Sequence, residues 1–412
     1  MRKIMVCMAV GLSSTVFLGR AADWPQWRGP DRSEVSQEQG LLKQWPEGGP
    51  KRIWLYQNAG IGYSGPAVVG GTLYIMGARG DMECLLALSA DAGTERWATE
   101  IGPRLKNNWG DGPRGTPTVR DGRVYAMGGQ GILICADAAT GKLLWKTAMS
   151  DLGGKVPMWG YAESVLVDGN RVICTPGGGQ GAVAALDKDS GKVVWQSKEF
   201  TEDAQYSSPI LAEHNGTRQV IVLTMRKVAG VAAQDGKLLW QSDWPGKTAV
   251  IPTPIFKDGC VFVTSGYDAG CKLIRIGPEN AVSDIYANGN MVNHHGGVLL
   301  VGDFLYGYSD RGGWSCLNFK SGASVWQKKD ALGKGAVASA GGMLYLLSEN
   351  DGAVVLAEAS SAGWSEKGRF RLDPQTRQRS PSGKIWTHPV VADGKLYLRD
   401  QEIVYCYDVK GE

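Results

Sequence analysis

The side chains in this sequence that can do acid–base, nucleophilic or metal chemistry are few, and their spacing rules out most of it. The histidines are His214, His294, His295 and His388. None stands in a His-Glu-x-x-His pair that would hold zinc on one helical face, and no serine occupies a Gly-x-Ser-x-Gly elbow. Past Cys7 the cysteines are Cys84, Cys135, Cys174, Cys260, Cys271, Cys316 and Cys406. They form no Cys-x-x-Cys and no Cys-x-x-Cys-His, so neither a zinc site nor a haem attachment is encoded. Their odd number opposes a disulfide framework and favours small buried hydrophobes, with a Cys260–Cys271 bridge left open. The run Gly177-Gly178-Gly179-Gln180-Gly181 lacks the Lys-Ser/Thr of a phosphate loop and lies between two strand-like segments, so it reads as a hairpin turn.

These residues must be positioned by the rest of the chain, and its composition is distinctive. Of 412 residues 58 are glycine, and 15 tryptophans outnumber 7 phenylalanines. Glycine is about twice as frequent as usual. Collagen or a disordered chain is opposed by the 43% of hydrophobic residues, which are spread evenly. Many short strands joined by tight turns remain. A net charge of +3 argues against binding nucleic acid by phosphate neutralisation. Arg2 and Lys3, then the apolar Ile4 to Leu18, then small residues at Gly19 and Ala21, form a secretory signal peptide over 1–21. The apolar run is shorter than the roughly 20 residues that span a bilayer, and Cys7 is misplaced for lipidation. No later stretch is long and apolar enough to cross a membrane. A soluble, monomeric protein, periplasmic or secreted, is expected.

Tryptophans at Trp54, Trp97, Trp145, Trp195, Trp240 and Trp326 recur at roughly 45 residues, with one copy missing before the last, which is the blade length of a β-propeller. Each unit opens with Pro-x-apolar-apolar and a glycine turn, as at Pro66 to Tyr74. It closes with an Asp or Asn turn, a glycine and a tryptophan, clearest from Cys135 to Trp145 and from Ala185 to Trp195. Asp bonds its own backbone, Gly takes a positive φ, and the large ring fills the space to the next blade. Inner strands begin near Pro66, Pro117, Ser164, Pro209, Pro254, Val298, Val337 and Pro389. The last blade lacks an outer strand, which residues 50–54 supply. The expected fold is all-β, an eight-bladed β-propeller of four-stranded antiparallel blades over 50–412, closed by an N-terminal strand. Residues 22–49 form an extension packed on it.

The Ala-x-Asp-x-x-Thr-Gly-Lys-x-x-Trp element resembles the tryptophan-docking motif of the pyrroloquinoline-quinone (PQQ) repeat propellers, over essentially the whole mature chain. That superfamily holds quinoprotein dehydrogenases and the outer-membrane β-barrel assembly lipoprotein. The opening Trp24-Pro25-Gln26-Trp27-Arg28-Gly29-Pro30 is similar to exported PQQ-like repeat proteins of bacteria. The dehydrogenases imply calcium-bound PQQ, an Asp base, Glu and Asn metal ligands and a pair of adjacent cysteines. No two cysteines are adjacent here, and the loops are short.

Three residues before each inner strand the copies hold Tyr63, Arg114, Tyr161, Tyr206, Ile251, His295, Lys334 and Trp386. These are expected to ring one mouth of the central channel, with Trp109, Asp111, Trp159, Glu163, Asn293, His294 and His388 nearby. Rings beside donors suit a peptide, a sugar or a flat anion, although mouth loops also use aromatics merely to cap blade packing. His294 and His295, adjacent on a strand, should point oppositely. Asp111 and Glu163 are the one acid–base pair on offer. The expectation is a non-catalytic binding or scaffold propeller that engages a protein, peptide or glycan, with no cofactor. The alternative is a PQQ- and calcium-dependent alcohol or sugar dehydrogenase.

Overall fold

The computed structural model describes residues 23–411; the signal-peptide segment lies outside them. Eight antiparallel sheets follow one another around a ring. Blade 1 runs Ala67–Val69, Thr72–Arg79, Met82–Ser89 and Glu95–Pro103 from the axis outward, and the other blades repeat that order. The fold is the expected eight-bladed β-propeller. Its apolar core lies between blades: Leu85, Ala87 and Tyr74 of blade 1 pack with Val124, Ala126 and Ile134 of blade 2. Alternate residues of each middle strand thus serve one interface and the rest serve the next, which is why these strands are almost uninterruptedly buried.

The repeated tryptophan acts across that interface. Trp97 Nε1 donates to the Ala138 carbonyl of the next blade, Trp145 to Lys188, Trp195 to Ala233 and Trp326 to Ser360. The glycine of the next blade's turn lies flat beneath the ring. A Cβ on Gly141 would stand 2.6 Å from Trp97, and one on Gly191 2.6 Å from Trp145. Those glycines are also at φ +74 and +70, where side chains are strained. Blades 5 and 7 lack the tryptophan, and in blade 5 another aromatic residue replaces it. Tyr286 takes the slot, pairs with Leu273, and its hydroxyl donates to the Phe319 carbonyl at 3.0 Å. In blade 7 the equivalent position is Gly368, and the room it leaves is filled by Trp45 of the N-terminal extension. The seven cysteines among the described residues are free and buried.

The ring closes as read from the repeat. Arg52–Tyr56 is the outer strand of blade 8, with Trp54 opposite Cys406. Trp54 Nε1 then reaches the Ala90 carbonyl of blade 1, as its counterparts reach theirs. At the axis the buried Arg399 of blade 8 donates to the carbonyls of Gly60, Ser64 and Met76, which ties the last blade to the first.

The extension does more than pack on the ring. Residues 24–36 cross one end of the channel and touch the innermost part of every blade. Trp24 bridges Val68, and the Pro25 carbonyl accepts from Val119 N–H. Arg32 donates to the carbonyls of Ser164, Val165 and Pro209, Trp27 Nε1 to Thr253 Oγ1, and Arg28 to the Val298 carbonyl. Glu34 meets Ser339 N–H through its carbonyl and His388 through its carboxylate, and Val35–Ser36 adds a short parallel strand to blade 7. Arg28, Arg32 and Glu34 all hold positive φ, a backbone cost of roughly 1–2 kcal/mol each that the surrounding contacts offset. The channel is therefore blind at this end.

Candidate functional site

Above that plug a cavity of about 360 Å³ opens at the opposite mouth. Its floor is Trp27 and Arg28, and its walls come from the segments that lead into successive inner strands. Tyr63, Arg114, Tyr206, His295 and Trp386 line it, as do Trp109, Trp159, His294 and His388. Of the residues expected at the mouth, five others lie elsewhere. Tyr161 turns outward into the packing between blades 2 and 3, where its hydroxyl donates to the Pro176 carbonyl. Lys334 stands behind His294, with Nζ donating to His294 Nδ1 at 3.1 Å and to Asp310 Oδ1 at 2.6 Å. Asn293 spends its amide on the carbonyls of Gly297 and Tyr308, and Asp111 accepts from Asn107 N–H. Glu163 is fully buried, accepts from Thr175 N–H, and has its carboxyl pushed up to about 7 by burial. Asp111 and Glu163 thus form no acid–base pair in the cavity.

The walls are aromatic on opposite sides. Trp159 and Tyr206 lie 5.6 Å apart on one side; Tyr63, Trp386 and His295 follow on the other, with His295 stacked on Trp386 at 4.5 Å and 22°. His294 and His295 do not point apart. They sit in an irregular loop rather than a strand, and their ring centroids are 3.7 Å apart. Lysine only donates, so His294 accepts at Nδ1 and carries its proton on Nε2, which has no partner among the described residues. Burial, reinforced by Lys334, pushes the His294 pKa down to about 3; burial and the neighbouring His294 push His295 well below its usual value. Both rings are neutral at ordinary pH. Among the described residues no three His, Cys, Asp or Glu come together to hold a metal ion.

The cup holds two guanidinium groups, Arg28 in the floor, 3.4 Å from the Glu34 carboxylate, and Arg114 on the wall. The Arg114 guanidinium donates to the carbonyls of Gly112 and Gly110 at 2.6 and 2.8 Å and lies 5.5 Å from the Tyr63 ring centre. No aspartate, glutamate, asparagine or glutamine lines the cavity. Calcium-held PQQ needs carboxylate and carboxamide ligands beside its ring, and the donors present do not fit that group. Trp27 and Arg28 were missed as site residues by sequence reasoning, as was Tyr267, whose ring meets His294 edge-on at 4.6 Å. The signal for the first two is the Trp24–Pro30 segment itself.

A closed eight-bladed PQQ-repeat propeller with a plugged, aromatic channel is the class that fold and site define. The family described as outer membrane protein assembly factor BamB matches residues 81–328, and the chain belongs to it. It is similar to the BamB proteins of Yersinia pestis (22% identical, 85% of this chain and 86% of that one) and Escherichia coli strain K12 (24%, 75% and 87%). Among solved structures it resembles BamB from Moraxella catarrhalis (TM-score 0.61, 14% identical, 87% of this chain and 99% of that one). It also resembles quinohemoprotein alcohol dehydrogenase from Comamonas testosteroni (TM-score 0.64, 14%, 95% and 81%). At such identities the structural likeness speaks for the fold alone. No helix among the described residues is long and apolar enough to cross a membrane.

Proposed function

We propose that this chain is an exported, non-catalytic binding propeller that docks a protein partner on the open mouth of its channel. One observation carries the reading: the rim holds large apolar side chains in solvent. Trp109 is 48% exposed and Met158 77% exposed, in two loops joined by the bond from Asn107 Nδ2 to the Met158 carbonyl. Val156 and Tyr267 are exposed as well. Monomeric proteins seldom leave such groups together in water without use. The relatives' name, an assembly factor at the outer membrane, supports a protein partner and a periplasmic setting. The quinoprotein alternative has the likeness of fold but lacks the ligand set its calcium requires.

Photo-crosslinking in the source cell tests this reading. A photoreactive amino acid at position 109 or 158 is expected to give a discrete protein adduct. One at Asn215, on an exposed turn at the plugged face, is expected to give none. Equal labelling from both faces, or none from the rim, contradicts it.

A further inference from the structure

On the plugged face each inner strand turns back into its neighbour through two residues, and the eight turns are not alike. Blades 2, 5 and 8 use Asp-Gly, at Asp121, Asp258 and Asp393. Blades 1 and 7 use Gly-Gly, and blades 3 and 6 begin with Gly169 and Gly302. Blade 4 alone places asparagine first, in Glu213-His214-Asn215-Gly216-Thr217. Asn215 and Gly216 stand at φ +49 and +72, the two-residue reversal that Asn-Gly favours. That reversal accounts for Asn-Gly but makes no demand for a threonine after it. No other asparagine in the chain is followed two residues later by serine or threonine.

The turn is open to solvent. Glu213, Asn215 and Gly216 are exposed, and neither the Asn215 carboxamide nor the Thr217 hydroxyl bonds to any described residue. Across the ring the N-terminal extension covers the equivalent turns. Asp23 accepts from Gly70 N–H in blade 1, Lys43 Nζ donates to the Gly341 carbonyl in blade 7, and Glu38 accepts from Gly394 N–H in blade 8. At Gly216 a Cβ would meet nothing within 4 Å. Behind the turn His214 Nε2 donates to the Ile276 carbonyl and its ring packs on Phe256, which anchors the hairpin. Asn-x-Thr on an exposed turn is the acceptor pattern for asparagine-linked glycosylation. Glu213, two residues earlier, supplies the acid that the bacterial form of that transfer also requires. We infer that Asn215 is the acceptor of an N-linked oligosaccharide. Asn215 Nδ2 attacks the anomeric carbon of an oligosaccharide carried on a polyprenyl pyrophosphate. The N–C bond forms, the C–O bond breaks with its electron pair leaving on the pyrophosphate, and the amide proton passes to the transferase. The Thr217 hydroxyl is the group by which the transferase holds the acceptor. A sugar here stands on the plugged face and leaves the rim free. The inference rests on the export proposed above, because such transferases act on exported chains.

The test is peptide mapping by mass spectrometry of the chain isolated from the envelope of the source cell. Trypsin releases residues 199–218 as one peptide. It is expected to carry an oligosaccharide mass that electron-transfer fragmentation places on Asn215. Asn215→Asp, the residue that blades 2, 5 and 8 use there, is expected to lose that mass and keep the wild-type melting temperature. Thr217→Val should lose it too, and Thr217→Ser should retain it. An unmodified peptide in the exported chain, deamidation of Asn215 without sugar, or sugar that survives Thr217→Val overturns the inference. The N-terminus of the same sample shows whether the leader has been removed. A chain that keeps it in the cytoplasm defeats the export reading instead. The acceptor is then decided by exporting residues 22–412 behind a foreign signal into an Escherichia coli periplasm supplied with a bacterial oligosaccharyltransferase and its lipid-linked sugar. An unmodified 199–218 peptide there overturns the inference as well.

Discussion

At the scale of single residues, two buried groups titrate in opposite senses and give the protein opposed pH dependences. His294 is pushed down to about 3 by burial and by Lys334, against about 6.5 in an unfolded chain. Its depressed value means the unfolded state binds the proton first. The stability it contributes is whole above about pH 6.5 and declines as pH falls toward 3. Between pH 7 and 5 the loss is about 2 kcal/mol. Glu163 is raised to about 7 by burial, against about 4.3 unfolded. Here the folded state keeps the proton longer, so stability declines as pH rises from about 4.3 to 7. Urea midpoints across pH 4.5–8 are expected to show His294→Gln flattening the acid side and Glu163→Gln removing the decline in stability that the wild-type carboxyl imposes from pH 5 to 7. A Glu163→Gln variant that tracks the wild type across that range would show that the carboxyl is ionised in the fold.

At the scale of elements, the turn glycines divide into those that only need a positive φ and those that also floor a tryptophan. Gly122 is at φ +72 with open space where a Cβ would stand; Gly141 is at φ +74 with Trp97 2.6 Å away. Gly122→Ala is expected to cost about 1 kcal/mol from backbone strain alone. Gly141→Ala adds displacement of a docked indole and should cost at least 2 kcal/mol more, by analogy with overpacked cores. Equal denaturation midpoints for the two variants would remove the double role. This element was legible in the sequence because each turn and its tryptophan lie within about ten residues, a distance at which spacing carries meaning. The cup was legible only in part. Repeat alignment put Tyr63, Arg114, Tyr206, His295 and Trp386 together, since each enters the axis at one register. It failed at Tyr161, where a loop turns the ring outward, and at His294, where no strand imposes alternation. It could not reach Trp27 and Arg28 at all, because their partners Thr253 and Val298 lie more than two hundred residues away.

At the scale of the whole molecule, one N-terminal segment performs two closures. Residues 24–36 seal the axis, and Arg52–Tyr56 completes blade 8. A ring of eight sheets has no free edge between first and last blade only while that outer strand stays in place. Trp54 and Trp145 occupy the same slot, are similarly buried and donate to equivalent carbonyls, Ala90 and Lys188. Truncating either to alanine should therefore cost a similar amount, about 3–5 kcal/mol. The consequences should differ in extent. Trp145 belongs to a strand continuous with its own blade, so its loss loosens one interface. Trp54 belongs to a strand that reaches blade 8 from the other end of the chain, and its loss frees the seam between blades 8 and 1. Hydrogen exchange measures this directly. Trp54→Ala is expected to deprotect Arg52–Tyr56 and Ile403–Asp408 together, ahead of global unfolding. Trp145→Ala should leave both at wild-type protection while the Leu143–Ala148 strand exchanges faster. Seam exchange that is the same in both variants would mean the ring opens anywhere with equal ease, and the closing strand would be one more blade edge instead of the latch.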